Sequence, residues 1–191
     1  MSAAVPPITL LDASVLYPAA LRNLLMRLAG AYLFQAKWTA RIQDEWTAAL
    51  VRDHPEFVKQ IARTRVLMES HIPDAEVTGY ELLIDTLTLP DPDDRHVLAA
   101  AIHGGAAVIV TANLRHFPAA TLAPHGLIAQ HPDTFVFDLL TDDPDAVLAT
   151  MLQHRLSLVS PPKTPEDYLA TLERHHMTTT VAALRAIIDR L

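Results

Sequence analysis

The segment from Pro90 to Asn113, "PDPDDRHVLAAAIHGGAAVIVTAN", constrains the fold more than any other part of the chain. It reads as a capped helix with alanines along its middle and two glycines at its end, followed by a strand. That strand is apolar without alternation, so both of its faces must be covered. A helix leading into a strand buried on both sides is the repeating unit of a parallel α/β sheet.

The chain opens on a second apolar strand. In "ITLLDASVLYP", Ile8 to Pro18, the apolar run ends on one carboxylate, Asp12. "PAALRNLLMRLAG" then spaces Leu21, Leu24, Leu25 and Leu28 along one helical face, with Pro18 suited to the first turn and Gly30 to the end. "TARIQDEWTAALVRDH" repeats the pattern with Ile42, Trp46, Ala49 and Leu50, and Thr39 can cap it. A third helix is expected from Pro55 to Glu69, using Phe57, Ile61 and Met68. "GLIAQ" can form another short strand, and Pro132 to Leu140 can be helical. From Thr141 onward strand signals stop, and three stretches each begin on a cap or a proline. The expected fold class is α/β: a mostly parallel sheet flanked by helices over residues 1–140, with a helical appendage over residues 141–191 packed on it. Three short helices would not be stable alone.

Composition narrows the chemistry. With 191 residues, 50% of them hydrophobic and 19% charged, the chain suits one packed core. It has no cysteine, which excludes disulfides, thiolate metal sites and a cysteine nucleophile. The ten histidines show no zinc-finger or HExxH spacing, and the five glycines form neither a P-loop nor GxGxxG. A net charge of -7 argues against a surface that attracts nucleic acid everywhere. It leaves room for an acidic site that takes phosphate through a divalent ion. The N-terminus lacks a basic stretch before a long apolar run, and no run reaches the length of a membrane span, so a cytoplasmic protein is expected.

In parallel sheets, sites form beyond the carboxyl ends of the strands. Asp12 ends the first strand and Asn113 follows the strand Val108 to Thr111. Asp94 begins the helix leading into that strand, with Asp91 and Asp93 beside it, and Glu45 lies in the helix after Thr39. Each has an ordinary explanation taken singly: a cap, a first-turn acid, a solvated helix residue, a turn residue. Together, four oxygen-bearing side chains from separate segments could converge on one edge of the sheet.

That order along the chain resembles the PIN-domain ribonucleases, particularly the VapC-like toxins of bacterial toxin–antitoxin pairs. The resemblance runs from about Ile8 to Leu140. It is carried by "LLDASVL" with Asp12, "IQDEW" with Glu45, "DPDDRHVLAAA" with Asp94 in the best register, and "VTANLRHFP" with Asn113. Asn113 is neutral where many members carry Asp, and the neighbours Asp91 and Asp93 leave the register of Asp94 open. The resemblance implies endonucleolytic cleavage of RNA by a water activated on Mg²⁺ or Mn²⁺. In that scheme Asp12 and Asp94 bind metal, Glu45 orients or deprotonates the attacking water, and Asn113 completes the set of metal-site residues. Carboxylates brought together repel unless cations intervene, and hard oxygen donors select such ions. Arg22, Lys37, Arg41, Arg95 and Arg115 are candidate phosphate contacts, and Trp46 could stack on a base, although its spacing favours the core.

Two other readings compete. A phosphatase of the haloacid dehalogenase type needs a second Asp two positions after the first, where this chain has Ser14. A degenerate PIN-like domain could serve as a protein-interaction module without nuclease activity. Expected partners are an RNA substrate, a cognate antitoxin encoded nearby, and a second copy of the chain, since the leucines of the Leu21–Leu28 face exceed what a small sheet edge obviously covers.

Overall fold

A computed structural model describes residues 5–191. Strand β1 (Ile8–Leu11) leads into the single turn α1 (Ala13–Leu16) and the longer α2 (Ala19–Gly30), followed by β2 (Gln35–Lys37) and α3 (Ala40–Asp53). Helices α4 (Val58–His71), α5 (Glu81–Ile84) and α6 (Arg95–His103) come next, then β3 (Val108–Val110), α7 (Ala119–Leu122) and β4 (Ile128–Gln130). The chain closes with α8 (Pro132–Asp142), α9 (Pro144–Ser157), α10 (Pro165–Arg174) and α11 (Thr178–Arg185). The four strands form one sheet in the order β2-β1-β3-β4, and every pairing is parallel. Their carboxyl ends therefore open on one edge, as the alternation of strands and helices predicts.

Local chemistry accounts for the elements. Thr39 caps α3 by accepting the Ile42 amide at 3.1 Å, and Asp143 and Thr164 cap α9 and α10 in the same way. Proline occupies the first turn of α8, α9 and α10, where its missing N–H costs no hydrogen bond. Val108, Ile109 and Val110 are all buried, as an unalternating apolar run requires. Gly30 ends α2 but is not a left-handed stop; that conformation falls on Tyr32, at φ 59°. At Gly30 a β-carbon would sit 2.8 Å from His71 Nε2, so glycine is there to let α4 approach.

Three expectations need correction. Phe57 does not join the core; it lies in a short 3-10 turn, Pro55–Phe57, and is largely exposed, while Ile61 and Met68 are buried. Strand β2 was not anticipated. It is a three-residue edge strand with polar ends and no alternation to read. Leu21, Leu24, Leu25 and Leu28 are already buried within one chain, where α2 packs against α1, β2, α9 and α10. The face that had suggested a dimer is therefore part of the core. Trp46 is also a core residue, stacked under the Arg22 guanidinium at 4.6 Å. Among the described residues, no helix is long and apolar enough to cross a membrane.

Candidate active site

Asp12 stands where β1 passes into α1, at the N-cap position, yet its side chain makes no cap bond. It is buried, and its Oδ2 instead accepts the Ser14 hydroxyl at 2.6 Å and the Thr111 hydroxyl at 2.7 Å. Both hydroxyls are themselves held by backbone of the loop after β3. Ala112 donates its amide to Ser14 Oγ, and Asn113 donates its amide to Thr111 Oγ1, each at 3.0 Å. The Asp12 backbone joins the same seam by donating to the Val110 carbonyl at 3.1 Å. One carboxylate oxygen is thus fixed in direction by two donors. The other, Oδ1, has no hydrogen bond among the described residues.

Asp94 closes a 3-10 turn, Pro92–Asp94, immediately before α6. It too makes no cap bond. Its Oδ2 lies 2.6 Å from His116 Nδ1, and Asp91 Oδ2 lies 3.6 Å from the same nitrogen. Arg115 Nε donates to His116 Nε2 at 3.1 Å. That contact makes Nε2 the acceptor and assigns the proton to Nδ1, which donates to Asp94. Burial pushes the Asp94 carboxyl above its ordinary value; the His116 hydrogen bond opposes this, and the negative charge of Asp12 adds to the rise. The two acids therefore interact across the sheet edge. Asp93 is exposed, whereas Asp91 uses Oδ1 to accept the Asp93 amide at 3.0 Å. Among the three acids, Asp94 is the one whose pKa is raised by burial and also by the charge of Asp12.

Glu45 projects from α3 and is partly exposed. Its Oε1 lies 3.2 Å from Arg41 Nε, one helical turn earlier, and 3.0 Å from His96 Nε2 on α6. Burial alone would raise its pKa, but the contacts with His96 and Arg41 outweigh burial and hold the carboxyl below its ordinary value. Glu45 and Ser14 line one cleft of about 370 Å³ between α1 and α3, together with Tyr17, Ala49, Arg52 and Asp53. Asn113 sits on the exposed turn after β3, with its amide tied to Thr111 as above. The four residues singled out in the sequence therefore come from the carboxyl ends of β1 and β3 and from the helices beside them. Of these, Asp12 is tied to the Asn113 backbone through Thr111 and to Asp94 through charge. Glu45 contacts Arg41 and His96 and shares its cleft with Ser14 rather than with the other three.

The basic candidates divide. Arg22 is buried, donates to the Leu16 and Tyr17 carbonyls, and is pushed down to about 10 by burial, so it is a core residue and not a phosphate contact. Lys37 bonds the Asp74 carbonyl and Arg95 bonds the Pro92 carbonyl. Arg41 bridges Glu45 to the Asp93 carbonyl, the latter at 3.4 Å. Sequence reasoning missed Ser14, Thr111, His96 and His116. None stands in a spacing that marks it, because their roles depend on strands that meet only in the folded chain.

An acidic cluster at the carboxyl edge of a parallel four-stranded sheet, backed by helices on both sides, defines a class. Residues 9–115, more than half of the chain, match the PIN domain family, and the chain belongs to that family. Residues 132–186 match the family described as the VapC50 C-terminal domain. The chain is similar to "Putative ribonuclease VapC50" of Mycobacterium tuberculosis (strain ATCC 25618 / H37Rv), with 46% identity over 79 residues, covering 41% of this chain and 47% of that protein. The matched stretch spans about half the length of this curated relative. No solved structure gives a significant match.

Proposed function

We propose that the protein is a divalent-metal-dependent endoribonuclease and acts as the toxin of a type II toxin–antitoxin pair. The observation that carries this reading is the pairing of Asp12 with Asp94. Two carboxylates from distant segments lie near enough that, after burial, the negative charge of Asp12 adds to the rise of the Asp94 pKa. A cation between them would remove that repulsion. The donor chemistry fits a hard ion: ligand atoms of Asp91, Asp94 and His116 lie within 4.8 Å of one another, and Asp12 Oδ1 is free of other bonds among the described residues. His116 has both ring nitrogens engaged, which favours the oxygens as the ligands.

When bound, Mg²⁺ or Mn²⁺ would supply positive charge opposite the phosphate and make a water more acidic. The chain supplies the rest. Ser14 and Thr111 orient Asp12, His116 orients Asp94, and Asn113 offers an amide beside them to position water. Glu45, kept ionised by its neighbours, accepts the proton of the attacking water from the cleft side. An RNA strand is the substrate this reading implies. A basic partner protein, the antitoxin, would neutralise the same acids, and the chain's net charge of -7 would favour its association. Side chains open to a second copy lie on α4, where Val66 and Leu67 are exposed.

The test is cleavage of total RNA by the purified protein with Mg²⁺ or Mn²⁺, with chelator, and with Asp12→Asn alongside. Cleavage that needs metal and disappears in the folded variant supports the nuclease. Undiminished cleavage by Asp12→Asn, or in excess chelator, refutes it. Co-expression with the neighbouring small reading frame tests the toxin role separately, and light scattering tests the dimer.

A further inference from the structure

We infer that His96 is a positioning residue: it fixes the direction of the Glu45 carboxylate toward the cleft it shares with Ser14. The inference rests on the nuclease reading of that site and deepens it. His96 is in the first turn of α6, two residues after Asp94, and is 1% exposed. Its imidazole is held entirely inside the protein, yet among the described residues neither ring nitrogen has a hydrogen-bond partner. Nε2 stands 3.0 Å from Glu45 Oε1, within reach of an ionic contact but off the line of a directed hydrogen bond.

A buried polar group left without a directed partner lowers stability, and an apolar side chain of similar volume would pack the same space without that penalty. Packing therefore does not account for a histidine here. Its polar neighbour does: Nε2 approaches one carboxylate oxygen, and that carboxylate belongs to a residue lining the cleft beside Ser14. Arg41 holds the same oxygen from the other side, at 3.2 Å. Glu45 is thus braced between its own helix and α6, leaving Oε2 as the oxygen these two contacts do not engage. Because α6 also follows directly from Asp94, one helix end sets two acids at once: Asp94 through its backbone position and Glu45 through His96. Successive residues around a helix point to different sides, so a spacing of two directs the two side chains to different neighbours.

The experiment compares wild-type protein, His96→Leu, His96→Gln, Glu45→Gln and the double variant His96→Leu/Glu45→Gln. Thermal melts establish that each is folded. Mn²⁺ affinity is read from the spectrum of the free ion, kcat and KM from RNA cleavage, and the Glu45 side-chain carboxyl resonance from ¹³C-glutamate labelling, assigned by its loss in Glu45→Gln. His96→Leu should lower kcat by about 10-fold or more, with KM little changed and Mn²⁺ binding weakened, as for other residues that orient a metal-site ligand. It should also move the Glu45 resonance. His96→Gln, which can bring an amide nitrogen near the place of Nε2, should restore most of each loss. In the double variant the loss should be no greater than in Glu45→Gln alone, since His96 acts only through Glu45.

Additive losses, or a Glu45 resonance that ignores His96→Leu, would overturn the inference. Wild-type protein that neither binds Mn²⁺ nor cleaves RNA would instead refute the nuclease reading. The resonance would still decide whether His96 orients Glu45.

Discussion

Thr111 and Asp12 are 99 residues apart in the chain, and the hydroxyl of one donates to the carboxylate of the other at 2.7 Å. The bond is possible because β1 and β3 are neighbours in register, with Leu11 opposite Val110. One residue beyond that pair, both chains leave the sheet on the same edge. The direction of the acid is therefore set by strand pairing together with the local Ser14 hydroxyl.

Removing the hydroxyl while keeping its shape tests that dependence. Thr111→Val should lower stability by about 2 kcal/mol or more, since the hydroxyl both donates to a carboxylate and accepts the Asn113 amide, and should reduce RNA cleavage far more than that figure suggests. Asp12→Asn should leave the melting temperature almost unchanged and abolish cleavage. Urea titration and an RNA-cleavage assay on the same preparations separate the two effects.

The three neighbouring acids should differ sharply. Asp94→Asn removes the carboxylate held by His116 and coupled by charge to Asp12, and should abolish cleavage. Asp93→Asn alters an exposed side chain and should leave activity within error of wild type. Asp91→Ala removes the acceptor of the Asp93 amide and should cost about 1 kcal/mol of stability, as for a lost cap. Parallel melts and single-turnover cleavage would show this order; activity lost in Asp93→Asn and kept in Asp94→Asn would contradict it.

His154 sets an acid limit on stability away from the site. It is buried against the Tyr168 hydroxyl, and burial, with a smaller contribution from the Arg27 charge, lowers its pKa to about 4. The unfolded chain takes up this proton near the ordinary value of about 6.5, before the folded chain does. Stability from this group is therefore complete above pH 6.5 and falls as pH drops toward 4, by up to about 3 kcal/mol. Denaturation midpoints at pH 7.5 and pH 5 should show the fall, and it should shrink in His154→Phe.

Asp133 is a buried acid with a different role. Burial alone would raise its pKa, but hydrogen bonds from Thr180 and Thr179 hold it below the ordinary value. Its two oxygens accept the Thr179 and Thr180 amides, each at 2.8 Å, and so join α8 to the start of α11. Asp133→Ala should cost about 2 kcal/mol or more and should leave the cleavage rate of the folded fraction unchanged. A loss of rate at full folding would place this acid in the function.

His96→Leu should separate stability from activity. Replacing a buried group without a directed partner by an apolar one should leave the melt unchanged or raise stability by about 1 kcal/mol. RNA cleavage should fall at the same time. A large drop in melting temperature would mean that the imidazole serves packing.

The legible parts of this chain were those with a local cause. Thr39 announces a cap by type and position, and the spacing of Ile42 and Trp46 announces a buried face. The helix before β3 and the unalternating "VIV" strand could be read because both express burial on each side. Asp12, Glu45, Asp94 and Asn113 could be singled out only through their order along the chain. What was hidden needed distant partners. Arg22 reads as a surface residue until Trp46 and two carbonyls are placed around it. His116 has no motif of its own, and its meaning comes from Asp94, 22 residues away. Strand β2 was too short to show a period, and it forms because β1 offers it an edge.

Helix α2 is covered by α9 and α10, so the C-terminal helices are walls of the interior and not a module resting upon it. A chain ended after Leu140 would keep every acid of the candidate site and strip from α2 the cover that α9 and α10 give it, exposing part of a helix now buried.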